Sequence, residues 1–534
     1  MTDQFSVLPY SIDNLQKIFS EKTTASQQVI ANKLHRFYFE NYFDFVEAKT
    51  VLVENHYIDR DFLEDFSGYY VRCFADYSRK CSRLHFFDIV FDVTNFENLL
   101  LGNEESVDLA SLQAGYLGFI VLKPLPLTII GRTCLKVYPT AEEKPEISRR
   151  YFPTVRNYKA NLFGVTLKVK TLAFQEQDRV AAACATSALW STFQATGILF
   201  QHLIPSPVEI TKSATINSQL LARSLPSQGL TAEQIAQAIL SVGLEPLLFE
   251  ASDGNLLKNT LYAYLRSKIP VLMIVSLFDM KSSFPNCLGR HAVVISGYCL
   301  GLQKTQPYGQ SGFLLKASKI DKIYAHDDQV GPFARMTFDG VPVPIITNIG
   351  QEDFFSISTS WVSPSSGNIG DVRAVPDIAL IPLYHKIRIP FEVIQALVLS
   401  FDAFLETLRN QANLPLSQRI EWDIYLTSIT EFKEEFSRLN VNRDLPKIEI
   451  LTEPMPRFLW RASAFNGNEV ILDLLFDATD IEQGHFFVRA IEYQSDLSIY
   501  LRTISKEPSL EASFQGNPEW KILEWFKYQS IPEN

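Results

Sequence analysis

The segment AAACATSALWSTFQATGILF, residues 181–200, is rich in alanine and carries apolar side chains at helical spacing, with Gly197 near its end. That pattern predicts a buried helix with Cys184 in its first turn. A helix N-terminus presents unpaired backbone N–H groups and the positive end of the helix dipole, and both favour a thiolate over a thiol. Cys184 is therefore placed as a nucleophile needs to be. Simple packing of a small side chain in an alanine-rich run predicts the same residue.

Reading outward, residues 162–172 alternate Val and Lys and predict a strand leading toward this helix. Downstream, Thr231 is a natural N-cap for a helix that stops near Gly243. A second helix is expected over 256–267 and a strand over 269–277. Then comes HAVVISGY, residues 291–298, an apolar strand whose single titratable side chain, His291, stands at its start. A short strand over 323–326 runs into Asp327 and Asp328. A thiol nucleophile needs a base to take its proton and return it to the leaving group. Of the eight histidines, His291 has the placement for that task. Asp327 or Asp328 can orient the imidazole, and Gln177, upstream of Cys184, can donate to a developing oxyanion.

The totals bound the rest. A chain of 534 residues that is 46% hydrophobic and 20% charged can build sizeable cores. Its net charge of −11 argues against nucleic acid and anionic membranes, which call for clustered Lys and Arg. No apolar run reaches the roughly 18 residues of a membrane helix. The start, MTDQFSVLPYSIDN, lacks the basic and apolar regions of a secretory signal. Six scattered cysteines without a CxxC pair predict neither a zinc ribbon nor a disulfide framework. A cytoplasmic location is the expectation.

The chain reads as three regions: an α/β N-terminal region over 1–155, a central domain over 156–385, and a C-terminal α+β region over 386–534. Helical spacing extends over 26–50, and strands are expected at 116–122 and about 132–137. Residues 143–157 read as a linker, and the Ser-, Pro- and Gly-rich stretch 350–380 as loops or a boundary. Helices are expected over 390–409 and 416–439. IEILTE, RFLWRASAF and VILDLLFD read as strands, with Asn466-Gly467-Asn468 as a hairpin turn. Arg72, Arg79 and Arg83, near Tyr69, Tyr70 and Tyr77, have the spacing of an anion-binding helix face or of a plain amphipathic helix. Asp473, Asp477 and Asp480 lack the glycine and terminal Glu of a calcium loop.

The order of these elements resembles the papain-like cysteine peptidases that process the double-glycine leaders of bacteriocins, a bacterial group. The shared pattern is a strand ending in Gln, then the Cys helix. A helix of the type GLTAEQIAQAILSVGLEP (229–246) comes next, then the strand approach LRSKIPVL (265–272), the His strand and a strand ending in an acid. It spans about residues 160–335. The resemblance implies an α+β papain-like fold in which the Cys helix packs on an antiparallel sheet. It further implies Cys184 as nucleophile, His291 as base and Asp327 as orienting acid, with hydrolysis of a peptide or isopeptide bond through an acyl-enzyme. No cofactor or metal is implied. Acyl transfer or deamidation uses the same chemistry, and an inactive binding scaffold keeps the same fold. The partner expected is a peptide or protein, with the flanking regions as room for protein docking. The sequence departs from the pattern in three places. Ala185, not Gly, follows the cysteine. Gln177 lies seven residues before it, with Asp178 in the usual place of the glutamine. Asp328, not Pro, follows the acid.

Overall fold

The computed structural model describes residues 4–103, 107–178, 183–216, 229–281, 284–348, 350–411, 416, 418–439, 446–482, 484–510, 516–517 and 519–529. The chain is α+β, and its sheets are almost wholly antiparallel. It divides into two compact units whose segments alternate along the sequence. The first comprises Met1–Ser252, Lys268–Cys299 and Asp321–Pro382; the second comprises Asp253–Ser267, Leu300–Ile320 and Leu383–Asn534.

The first unit begins with a five-stranded meander: Phe5–Pro9, Thr50–Tyr57, Cys81–Phe87, Tyr116–Leu122 and Ile130–Leu135, each antiparallel to the next. The helices here are insertions between antiparallel neighbours, so this region is not α/β in the sense of parallel crossovers. The helical stretch expected over 26–50 is two helices, Gln27–Ala31 and His35–Phe45, and a strand already starts at Thr50. The expected arginine face also dissolves. Arg83 lies in a buried strand and pairs with Glu54 at 2.8 Å, whereas Arg72, at the end of the 3-10 helix Tyr70–Arg72, and Arg79, in the segment after it, are exposed.

The second sheet of this unit closes on itself. Val271–Asp279 pairs antiparallel with Asn286–Leu300 on one side and with Val372–Tyr384 on the other. Ile320–Asp327, Gly331–Thr337 and Ile357–Ser358 complete the ring. The stretch expected as loops over 350–380 therefore contains the strand that closes the barrel. Its Ser- and Gly-rich half supplies turns, but VRAVPDIALIPLY supplies the β-branched residues of a paired strand. The linker expected over 143–157 also holds structure, since Arg150–Tyr151 adds to the strand Asn286–Leu300 at Tyr298 and Cys299.

The cysteine helix spans Cys184–Phe200; residues 181–182 of the expected helix lie outside the described residues. Leu189, Trp190 and Phe193 are wholly buried, each contributing about 1.5–3 kcal/mol of transfer free energy. Several of its buried polar side chains are paired, although the Ser187 and Thr192 hydroxyls have no hydrogen-bond partner among the described residues. Trp190 Nε1 donates to Asp61 at 3.0 Å, and Gln194 accepts from Arg156 at 2.7 Å.

The second unit carries a six-stranded sheet in the order Pro307–Tyr308, Phe313–Leu315, Glu421–Ser428, Phe458–Asn466, Glu469–Asp477 and Phe487–Glu492. The hairpin forms at Asn466, where Gly467 takes the positive φ (69°) that the tight turn needs. Two expectations fail here. The helix expected over 416–439 is the strand Glu421–Ser428 and then the helix Ile429–Arg438, which Ser428 caps. EWDIYLTS favours a buried strand, and the amphipathic spacing belongs only to the helix after it. IEILTE is not a strand but part of the helix Lys447–Thr452, opened by Pro446.

Gly297 tests the packing of the histidine strand. A Cβ there would lie 2.5 Å from the Phe152 ring and 2.7 Å from the Tyr151 carbonyl. Gly297→Ala is expected to destabilise the protein by about 1–3 kcal/mol, read as a lower urea midpoint; an unchanged midpoint would contradict this packing.

Candidate active site

The site is assembled from three elements of the first unit. The cysteine helix begins at Cys184 with no side-chain cap and no acidic residue in its first turn, so its backbone donors stay available at the half-buried thiol. The histidine strand starts earlier than expected, at Asn286, but residues 286–290 are partly or fully exposed, and burial begins at His291. The strand Ile320–Asp327 delivers its acid at its last residue. His326, one residue before, ties this end down. Its Nε2 donates to the Leu172 carbonyl at 3.0 Å, and its Nδ1 accepts from the Phe333 N–H at 3.2 Å. Burial holds His326 neutral, lowering its pKa to about 4.

His291 Nε2 lies 2.9 Å from Asp327 Oδ1. The Cys184 thiol interacts with the same ring and helps raise its pKa. Asp327 is held from two other directions: Trp361 Nε1 donates to its Oδ2 at 2.7 Å, and the Gln329 N–H to its Oδ1 at 3.1 Å. Trp361 also stands edge-on to the imidazole, with ring centres 5.4 Å apart at 80°. It lies in the Ser-rich stretch that reads as loops, and a lone indole among serines was the only signal for it. That loop is anchored by Asp279, which accepts from the Ser363 hydroxyl at 2.9 Å and the Ser365 N–H at 3.0 Å.

Asp328 is a second carboxylate on the same imidazole. Its Oδ1 lies 3.4 Å from His291 Nε2 and has no hydrogen-bond partner, so the contact is one of charge. Its backbone carbonyl accepts from His35 Nε2 at 3.0 Å. Of the two acids, Asp327 is the one hydrogen-bonded to the imidazole and held by two further donors. Burial alone would disfavour the imidazolium, but Asp327 and then Asp328 outweigh it and hold His291 well above its ordinary pKa. Burial likewise opposes the charge on Asp327, yet His291, Trp361 and the Gln329 N–H keep it below the usual carboxylate range. Asp328, with burial as the largest cause, is pushed up to about 7.

The residues around position 177 separate clearly. Asp178 is buried and accepts a hydrogen bond from the Tyr70 hydroxyl, so it is not an oxyanion donor. Gln177 is partly exposed on the wall of a cavity that it shares with Gln329. Its segment is stitched to the meander through paired Thr133–Phe174 bonds of 2.7 and 2.9 Å and through the Glu176 N–H to Ile130 at 3.1 Å.

The other thiols differ. Burial pushes Cys134 up to about 12 and Cys299 to about 11, and raises Cys81 further. The C-terminal aspartates do not converge. Asp473 pairs with Arg461 at 2.7 Å, Asp477 accepts from the Thr479 N–H at 2.7 Å, and Asp480 from the Glu482 N–H at 2.8 Å. Among the described residues, the acidic or thiol group with ligand atoms close enough for a metal, within 4.8 Å, is His291, Asp327 and Asp328. Both Asp327 oxygens are already committed there to protein donors. Among the described residues, no helix is long and apolar enough to cross a membrane. No protein-family model matches this chain, and no curated protein matches it.

The Asp328 carboxyl makes a testable demand on stability. An acid whose folded pKa is raised binds its proton more tightly folded than unfolded. Its contribution is therefore fully present below the unfolded value and lost as pH rises through the folded one. Between about pH 4 and about pH 7, the wild-type protein is expected to lose urea stability relative to Asp328→Asn. Equal pH slopes for the two proteins would contradict the buried, destabilised carboxyl.

Proposed function

We propose that this chain is a papain-like thiol hydrolase that cleaves a peptide or isopeptide bond. The observation that carries the reading is the association of Cys184, His291 and Asp327: Asp327 sits 2.9 Å from His291 Nε2, and the half-buried Cys184 thiol interacts with the same imidazole. The chain order helix, strand, strand for the elements that carry Cys184, His291 and Asp327 supports the same reading.

The chemistry is set by the geometry. With the proton already on His291, held as the imidazolium by Asp327 and Asp328, Cys184 Sγ attacks the substrate carbonyl as the thiolate. The imidazolium faces Asp327, with Asp328 adding to the field, so charge separation is stabilised where it arises. The oxyanion is received by uncapped N–H groups at the start of the cysteine helix, with Gln177 as side-chain donor. His291 then protonates the leaving amine, the C–N bond breaks and a thioester remains. Water attacks the thioester as His291 takes its proton, releasing a carboxylic acid and restoring the thiolate–imidazolium pair. Trp361 shields the imidazole–carboxylate bond from water, which strengthens it.

Iodoacetamide at low concentration, then mass spectrometry, tests the pair. Cys184 is expected to be alkylated faster than the more exposed Cys287 at and below neutral pH, and His291→Ala is expected to abolish that preference, a loss of about tenfold or more in rate. Alkylation of Cys184 no faster than Cys287 would turn the reading into that of a binding scaffold.

A further inference from the structure

One peptide group joins the triad acid to the N-terminal region. The carbonyl of Asp328 accepts from His35 Nε2 at 3.0 Å. The N–H on the other side of that peptide bond, that of Gln329, donates to Asp327 Oδ1 at 3.1 Å. Asp327 Oδ1 in turn faces His291 Nε2 at 2.9 Å. A trans peptide is planar, with its C=O and N–H pointing in opposite directions. A donor that holds the carbonyl therefore also aims the N–H. Hydrogen bonds in such a chain polarise one another, so the bond to the carbonyl makes the N–H a better donor to the carboxylate.

His35 is itself firmly held. A carbonyl only accepts, so Nε2 carries the proton. The ring is 3% exposed, stacked on Phe39 at 6.3 Å and edge-on to Phe174 at 6.2 Å. Burial is the largest influence on its charge and lowers its pKa; Lys33 acts in the same direction, and Glu176, the Asp328 carbonyl and Asp327 oppose it. His35 is therefore a neutral donor at neutral pH. Its helix, His35–Phe45, meets the turn at a second point, since a Cβ at Gly331 would lie 2.6 Å from the Tyr38 ring. One helix thus grips the turn between the strands Ile320–Asp327 and Gly331–Thr337 at Asp328 and at Gly331. That helix lies outside the stretch that resembles peptidases.

We propose that His35 is a positioning residue for the thiol chemistry: it orients the Asp328–Gln329 peptide, whose N–H keeps Asp327 aligned on His291. The proposal rests on the hydrolase reading for its catalytic consequence, and it gives the N-terminal region a part in that chemistry. Without the His35 donor, the Asp328 carbonyl is a buried acceptor left unpaired, and the peptide turns to relieve it. The Gln329 N–H then leaves Asp327, and the carboxylate and the imidazole it holds both gain freedom to rotate. His35 acts only through this peptide. What it must supply is one N–H at the reach of Nε2, and a Gln side chain places an amide N–H at a similar reach.

The test reads the His291 ring proton by NMR of the full-length protein carrying isotope-labelled histidine. In the wild type, the Nε2 proton that faces Asp327 is expected downfield and in slow exchange with water. Two donor-free variants, His35→Phe and His35→Leu, are expected to speed that exchange about fivefold or more, as the loss of one hydrogen bond implies; two are used so that one poorly folded variant does not decide the result. His35→Gln, which keeps the donor but not the ring, is expected to restore slow exchange. A purely structural role predicts the reverse order, because Phe fills the space between Phe39 and Phe174 better than Gln does. Wild-type exchange in the donor-free variants, exchange in His35→Gln as fast as in His35→Phe, or no slowly exchanging His291 proton in the wild type would overturn the proposal. Alkylation of Cys184 reports the thiol separately. A wild-type Cys184 no faster than Cys287, with a His291 proton that still follows the His35 donor, sinks the hydrolase reading and leaves the relay standing.

Discussion

A buried imidazole facing two adjacent carboxylates is the constraint around which the first unit is arranged. Three ionisable groups out of water cost several kcal/mol per ion unless their charges and hydrogen bonds are matched. Here the matching draws on distant parts of the chain. His291 comes from the long strand beside Val271–Asp279 and Asp327 from the end of the next strand. Trp361 and the Gln329 N–H complete the Asp327 shell. The neutral histidines His35 and His326 fix the backbone on either side, at Asp328 and at Phe333. Removing one member leaves a charge or a donor stranded, so the arrangement is specified as a whole.

Asp327 and Asp328 are neighbours in sequence but do different work. Asp327 is saturated with donors and stays ionised, fixing the ring. Asp328 faces the ring through charge and not through a hydrogen bond to it, and its raised pKa places its own titration near neutrality. Its ionisation tracks pH in the range where the imidazole matters. A single acid at the turn would orient the ring, whereas the pair also lets the field on it vary with pH.

Much of this centre was legible in the sequence because it sits where the pattern changes. Cys184 opens an alanine-rich helical run, His291 opens an apolar strand and Asp327 closes one. Trp361 and the closing strand Val372–Tyr384 were not legible, because Ser, Pro and Gly on their N-terminal side mask the β-branched run behind them. Local patterns also misled where two elements abut without a breaker, as at Ser428, where a buried strand runs directly into an amphipathic helix. At 447–452 β-propensity lost to the helix start supplied by Pro446. Asp178 and Gln177 show the limit of spacing arguments. The residue at the expected offset is buried against Tyr70, and its neighbour faces the cavity.

The proposed chemistry stands on a thioester at Cys184. Rapid mixing with the p-nitrophenyl ester of N-acetylglutamine, quenched in acid and read by intact mass and peptide mapping, tests it directly. A Cys184 nucleophile predicts a burst of nitrophenol with the acyl group on Cys184, absent from His291→Ala. Acylation spread equally over Cys184 and the exposed Cys287, or no acylation of Cys184, would contradict it.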